Sequence, residues 1–494
     1  MPLLSLLGVG LVIVTLTVGL EFILLAASLL LLVLGVLVVL FKIWTLYKFP
    51  RPTKDLVGFF HPFADAGGGG ERVLWAGIRS LQVTRPDLQI ALYVGGSLLP
   101  SELVSRVESQ FQIRVEPTFT VIRLESREEL LPARYPRFTM LRQALASVRV
   151  AFAGLRRRVP AVWLDTTGWA FPYPLASLLG CRVAAYVHYP TISSDMLARV
   201  AGREAAFNND VGASTPATLA KVAYYGALAA AYSLCGLCAH TVMVNSSWTK
   251  RHISLLWLGH RDPFLVYPPC NTEALQELPL SRRLKRLYIV SVSQFRPEKQ
   301  HALQLRAFAR ARRDAERLES DAGDAVLAAR LELVGGCRNA EDAARIEELK
   351  ALARELGLEG SVDFLVNLPF PELQALLGEA VVGLHTMRDE HFGIGIVEFM
   401  AAGVVPVVHD SGGPREDIVQ PEGGGPGSGG ATPTGFRCVT EEEYAAALTR
   451  VLGMQQLERL EVAAAARRRA DRFSDARFAE AFMDAMAGCL PLRT

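Results

Sequence analysis

The chain carries no excess of charge of one sign. Lys and Arg number 52 against 50 Asp and Glu, a formal net charge of +2 over 494 residues. No broad basic face is available for gripping a nucleic-acid backbone, so nucleic acid is not an expected partner. Cysteine is scarce and unpatterned, and the odd count of seven leaves at least one thiol unpaired. A disulfide scaffold is therefore not expected, and a reducing compartment fits best. Charged residues make up 21% of the chain, and Gly and Pro follow no period. Collagen, coiled coil and wholesale disorder are thereby excluded.

Apolar residues are abundant: half of the chain is hydrophobic, and the mean hydropathy is +0.24. From Leu3 to Phe41 the only formal charge is Glu21. A bilayer span needs about 20 apolar residues, and the uncharged run Phe22 to Phe41 supplies them. Leu3 to Leu20 either forms a second span, with Glu21 at the turn, or extends one long tilted helix. No basic segment precedes the run, which disfavours a cleaved signal peptide. Lys42, Lys48, Arg51 and Lys54 follow it directly, so positive-inside logic puts the rest of the protein in the cytosol. The alternative is a buried apolar helical hairpin.

After Asp55 short apolar runs alternate with amphipathic stretches. The first series comprises Leu56 to Phe60, Ile90 to Val94, Thr118 to Leu124, Ala161 to Asp165, Arg182 to His188, Thr241 to Asn245 and Phe264 to Tyr267. The second comprises Leu287 to Ser293, Leu331 to Val334, Val362 to Val366, Val381 to His385 and Val404 to His409, with helices such as Ala343 to Leu356 and Gly395 to Ala402 between strands. Runs of this kind belong to parallel sheets, so the expected fold class is α/β. It consists of a membrane anchor over 1–41 and two Rossmann-like, doubly wound domains over 42–275 and 276–494, facing a cleft that holds the active site. Leu219 to Cys238 reads as a core helix or as one lying on the membrane surface. Cys235-Gly-Leu-Cys238 lacks a second pair for a zinc site, and Pro421 to Gly430 reads as a flexible glycine-rich loop.

Three segments carry chemistry. The first strand leads into His61 and then Gly67-Gly68-Gly69-Gly70-Glu71-Arg72, which opens a helix. Glycines at such a turn let backbone N–H groups approach an anion, although a merely structural turn has the same appearance. The segment fails as a dinucleotide fingerprint, because Arg72 stands at the third glycine position. In the second half, Arg296 and Lys299 sit three apart after a strand, spaced to clamp a diphosphate or simply to face solvent. Glu390 and Glu398 flank Gly393 and Gly395 at a helix start. An acid on so apolar a helix needs a hydroxyl or amide partner, unless the two acids only cap or solvate the helix.

Gln294-Phe-Arg-Pro-Glu-Lys299, Glu390 with Glu398, and Ser411-Gly-Gly-Pro414 together resemble retaining nucleotide-sugar glycosyltransferases of the GT-B fold, glycosyltransferase family 4. Phe60-His-Pro, the run Ala66 to Trp75 and His188 to Leu197 resemble the eukaryotic α-1,2-mannosyltransferase branch that extends the dolichol-linked oligosaccharide. Phe63-Ala-Asp65 departs from the Tyr-Cys-Asn expected there. The resemblance implies a donor site for GDP-mannose, in which Glu398 binds the ribose, Glu390 contacts the sugar, and Arg296 and Lys299 hold the diphosphate with amides around Gly68 and Gly69. His188 matches the first-domain histidine near the donor sugar. The resemblance further implies retention by front-face attack and a dolichyl-diphosphate oligosaccharide acceptor. The implied setting is the endoplasmic reticulum membrane, cytosolic face, with room for a complex with other mannosyltransferases of that pathway. No Asp-x-Asp sequence is placed to hold a metal, and no cofactor is expected. The alternatives are a family 4 transferase making another linkage or glycolipid, and a non-catalytic membrane scaffold.

Overall fold

The computed structural model describes residues 21–492, apart from scattered positions within 22–46 and the stretches 193–195, 197–214, 261, 282–285, 318–319 and 422–431. The first part of the expected anchor and most of the glycine-rich run after Pro421 lie outside the described residues. Residues 35–45 are helical, and Leu37, Val39, Leu40 and Ile43 on that helix are exposed. Among the described residues no helix is long and apolar enough to cross a membrane.

Two parallel sheets follow. The first comprises β1 (Thr53–Phe60), β2 (Gln89–Val94), β3 (Thr120–Arg123), β4 (Pro160–Asp165), β5 (Arg182–Val187), β6 (Thr241–Val244) and β7 (Phe264–Leu265), in the order β3-β2-β1-β4-β5-β6-β7. The second comprises β8 (Tyr288–Val292), β9 (Arg330–Gly335), β10 (Val362–Val366), β11 (Ala380–His385), β12 (Val405–His409) and β13 (Phe436–Cys438), in the order β10-β9-β8-β11-β12-β13. Most of the strands are largely buried apolar runs, as expected where helices cover the faces of a parallel sheet. In β1, for example, the last five residues are all buried, whereas the edge strands β3 and β10 are more exposed.

Several helices bear on function. They are α1 (Gly69–Thr84), α2 (Thr215–Gly236), α3 (Ser247–Leu256), α4 (Ile394–Ala402), α5 (Gln456–Ala470) and α6 (Asp475–Ala487). Helix α4 is apolar nearly all round and is bounded by Gly393 and Gly403, with φ of 113° and 75°. Glycine occupies those left-handed positions without a Cβ penalty, and the helix stops there. In α2, Leu228 and Tyr232 enter the core while Leu219 and Leu234 stay exposed, so the helix has a core face as well as an apolar outer one. The seven cysteines are all free thiols.

The chain differs from the expected 276–494 unit at its end. Helix α6 leaves the second domain, and Phe478, Phe482 and Met486 join Leu74, Ile78 and Val94 in the core of the first. Cys270 and Ser474 pair as an isolated parallel bridge, with the Cys270 N–H donating to the Phe473 carbonyl at 2.9 Å. The two crossings between the domains therefore run side by side.

Candidate active site

In an open parallel sheet the crevice lies where the strand order reverses, outside the C-terminal strand ends. The reversals here fall between β1 and β4 and between β8 and β11. The two reversals face one cleft. It is lined by Gly67 to Gly70 after β1, His188 after β5, Asn245 after β6, Ser293, Gln294 and Lys299 after β8, and His385 with Glu390 to Gly395 at and after β11. Its volume of about 420 Å³ lies within the usual ligand-pocket range of roughly 300–1,000 Å³.

On the first-domain wall, the glycine turn is pinned from inside its own helix. The Gly68 N–H donates to Glu71 Oε2 at 2.6 Å, while Glu71 Oε1 lies 3.2 Å from His61 Nε2 and His61 Nδ1 lies 2.8 Å from Thr166 Oγ1. Burial alone would raise the Glu71 carboxyl, but His61 and the Gly68 amide hold it below its ordinary range. The Gly68 amide, expected to face a diphosphate, is thus already engaged. Those of Gly69 and Gly70 lie in the first turn of α1, where an N–H has no intrahelical acceptor. A Cβ on Gly69 would stand 2.8 Å from Ile394 Cδ1 of the opposite domain, and one on Gly70 would stand 3.5 Å from His188 Nε2. Glycine at 69 lets the two walls come together, while at 70 a Cβ would make only ordinary contact with the histidine. His188 Nε2 lies 3.2 Å from the Thr166 carbonyl oxygen, which can only accept, so the proton belongs on Nε2 and Nδ1 is the acceptor nitrogen. Burial pushes this imidazole down to about 4, so it is neutral at physiological pH.

Across the cleft, Lys299 Nζ lies 2.5 Å from Glu390 Oε2, and His385 Nε2 lies 3.2 Å from the same oxygen. The His391 N–H donates to Glu390 Oε1 at 3.1 Å. Burial would raise the Glu390 carboxyl, yet Lys299, and after it His385, hold it well below the usual range. The loop is buttressed by Ser411-Gly-Gly-Pro414. Ser411 Oγ accepts the Asp389 N–H at 2.7 Å, and the Gly413 N–H donates to the Glu390 carbonyl at 2.8 Å. Gly412 has φ of 62°, and a Cβ there would stand 2.2 Å from the Glu390 carbonyl oxygen. That motif therefore sets where Glu390 sits.

Five of the seven sequence-derived candidates, Gly68, Gly69, His188, Lys299 and Glu390, line the cleft; Arg296 and Glu398 are not among its lining residues. Arg296 is partly exposed, with Nη1 3.6 Å from Glu298 Oε1. Glu398 has no hydrogen-bond or ion-pair partner among the described residues, and burial raises its carboxyl against the opposing field of Arg72. Sequence reasoning also missed how the domains are tied. Arg72 donates to the Pro269 carbonyl and the Phe111 carbonyl, both at 2.8 Å, and to Asp475 Oδ1 at 3.0 Å. It thereby clamps both crossings. Asp417 of the second domain accepts from the N–H of Ser247, in the first turn of α3, at 2.8 Å and from Tyr267 Oη at 2.9 Å. The His391 ring lies parallel to that of Tyr189, with centroids 4.1 Å apart, and close to parallel with Trp248.

Two facing Rossmann-like domains with such a cleft define the architecture of GT-B glycosyltransferases. Solved structures agree on the fold. Sucrose-phosphate synthase from Thermosynechococcus elongatus superposes with a TM-score of 0.60 at 16% identity, covering 88% of this chain and 99% of its own. Anabaena Alr3699/HepE in complex with UDP and glucose gives 0.56 at 16%, over 88% and 99%. Family models match in two consecutive blocks, "ALG11 mannosyltransferase N-terminus" over residues 54–257 and "Glycosyl transferases group 1" over residues 277–469. Among curated relatives, the GDP-Man:Man(3)GlcNAc(2)-PP-Dol alpha-1,2-mannosyltransferase of Mus musculus is 42% identical over 88% of this chain and 87% of its own length. The human protein of that name is 40% identical over 87% and 86%, and that of Dictyostelium discoideum 40% over 87% and 85%. The chain belongs to the family of GDP-Man:Man(3)GlcNAc(2)-PP-Dol alpha-1,2-mannosyltransferases.

Proposed function

We propose that this protein transfers mannose in α-1,2 linkage, with retention, from GDP-mannose to a dolichyl-diphosphate oligosaccharide, at the cytosolic face of the endoplasmic reticulum during N-glycan precursor assembly. The observation that carries this reading is the Lys299–Glu390 pair in a cleft that also holds the glycine turn, within a chain 42% identical to a mannosyltransferase of that name. When the glycosidic bond to GDP breaks, negative charge gathers on the diphosphate and the sugar becomes oxocarbenium-like. Lys299 and the first-turn amides of α1 are fixed cationic and dipolar partners for the former, with no metal required. The Glu390 carboxylate is the anionic partner for the latter. Neutral His188 orients the sugar through the acceptor Nδ1, and Glu398, which lies outside the cleft lining and has no hydrogen-bond or ion-pair partner among the described residues, takes a ribose hydroxyl as the family resemblance implies. The departing phosphate accepts the proton of the attacking hydroxyl on the same face.

The apolar segment before Lys42 anchors the protein in the membrane, and the basic residues after it keep the catalytic body on the cytosolic side. A scaffold role fits poorly with Lys299 and Glu390 already paired in the cleft. The test uses the full chain in detergent with labelled GDP-mannose and Man3GlcNAc2-diphosphodolichol. Product labile to an α-1,2-specific mannosidase is expected; absence of transfer overturns the reading. Protease added to sealed microsomes should digest the catalytic body, and a protected body would place it on the other side.

A further inference from the structure

Glu390 Oε2 has two donors. Lys299 comes from the loop after β8 on a flexible four-carbon stem. His385 is the last residue of β11, its ring is buried, and its own carbonyl accepts the Tyr444 hydroxyl at 3.2 Å. The carboxylate can only accept, so His385 Nε2 carries the hydrogen between them; Nδ1 is buried with no partner among the described residues. The next residue, Thr386, donates from Oγ1 to the Lys299 carbonyl at 2.9 Å and accepts from Gln304 Nε2 at 3.0 Å. The end of β11 therefore holds the carboxylate of the pair and the backbone of the lysine as one rigid unit.

The two donors differ in what else they must do. On the reading above, Lys299 serves the donor diphosphate, which draws its ammonium from the carboxylate at the moment the sugar most needs a fixed anion. An enclosed carboxylate left short of donors turns, or takes up a proton. His385 also borders the cleft, but its Nε2 faces Glu390 at 3.2 Å from the end of a strand rather than from a flexible stem, so it stays in place when Lys299 is drawn away. We propose that His385 is a positioning residue that keeps Glu390 aimed at the sugar while Lys299 is engaged by the diphosphate. The proposal rests on the mannosyltransferase reading and deepens it.

The test compares the full-length wild type with His385→Leu and His385→Gln, whose amide nitrogen reaches about as far as Nε2. Each is assayed for transfer from GDP-mannose to Man3GlcNAc2-diphosphodolichol and for GDP-mannose Kd. In His385→Leu, turnover should fall roughly tenfold to a hundredfold, the range for losing one hydrogen bond to a charged group, with Kd changed less than about threefold. His385→Gln should restore most of that turnover. Turnover in His385→Leu within about twofold of wild type overturns the proposal, as does a glutamine variant no better than leucine. If the wild type itself transfers nothing, the functional reading fails, and that result is separate from either.

Discussion

Lys299 Nζ stands 2.5 Å from Glu390 Oε2, bridging the loops after β8 and β11 at the reversal of the second sheet. The cation that faces the leaving group and the anion that faces the sugar thus form one unit before any donor arrives. Removing Glu390 strands the Lys299 ammonium in a largely buried setting, where an unpaired charge is unfavourable, whereas removing Lys299 leaves Glu390 with the His385 and His391 donors.

Lys299→Ala should therefore be the more damaging of the two basic substitutions. It removes a charge inside the cleft, at a loss of about 3 kcal/mol of transition-state stabilisation, roughly a hundredfold in rate. Arg296→Ala should have a smaller effect, because its guanidinium lies near Glu298 and outside the lining. Single-turnover rates rank the two; equal losses would bring Arg296 into the cleft on donor binding.

The two acids divide differently. Glu398→Gln should weaken GDP-mannose binding by about 1–3 kcal/mol while the fold survives, since its carboxylate has no partner to lose within the protein. Glu390→Gln should instead depress turnover more than affinity, because its proposed contact is with the sugar that changes charge. Donor Kd and single-turnover rate on both variants separate these outcomes. Changes confined to thermal stability would make the pair structural.

Gly413→Ala tests the buttress. A Cβ there would stand 2.7 Å from Phe392 Cα, and backbone cannot step aside as a flexible side chain would. The Glu390 loop should shift, lowering turnover by up to roughly a hundredfold, with overpacking of about 1–3 kcal/mol seen in denaturant unfolding. Wild-type turnover would show that the loop tolerates displacement.

Two histidines tie stability to pH. Burial lowers His188 and His301 each to about 4, against about 6.5 in an unfolded chain. The folded-state values are depressed, so between these limits the unfolded chain binds more protons. Their contribution is complete above about pH 6.5 and is lost as pH falls toward 4, by about 1.4 kcal/mol per pH unit for each histidine. Urea unfolding between pH 7 and 5 should lose part of its pH slope in His301→Gln, and an unchanged slope would assign the dependence elsewhere.

Much of this was legible in the sequence because parallel strands buried on both faces read as unbroken apolar runs. All strands but β13 fall in such apolar runs, even the two-residue β7 within Phe264 to Tyr267; Phe436–Cys438 is interrupted by Arg437 and has only Cys438 buried, so no run marks it. The glycine turn, Lys299 and Glu390 were visible because they cluster in short segments. His61, Glu71 and Thr166 were not, since their bonds join residues up to 105 apart. Arg72 looked like a spoiled glycine position, yet it clamps Pro269 and Asp475. Ser411-Gly-Gly-Pro414 stood out as a motif, but its reason, contact with the Glu390 backbone, exists only in three dimensions.

The return of α6 reverses the order of assembly relative to synthesis. The two hydrophobic cores of the second domain use residues no later than Phe473, whereas the first domain needs Phe478, Phe482 and Met486 to close its own. On the ribosome, the half translated second can finish folding first, and the half translated first waits with an open apolar face until the last helix emerges. A premature stop near residue 474 would accordingly injure the opposite end of the chain, and ribosome-bound chains arrested there should show protease sensitivity in the first domain rather than the second.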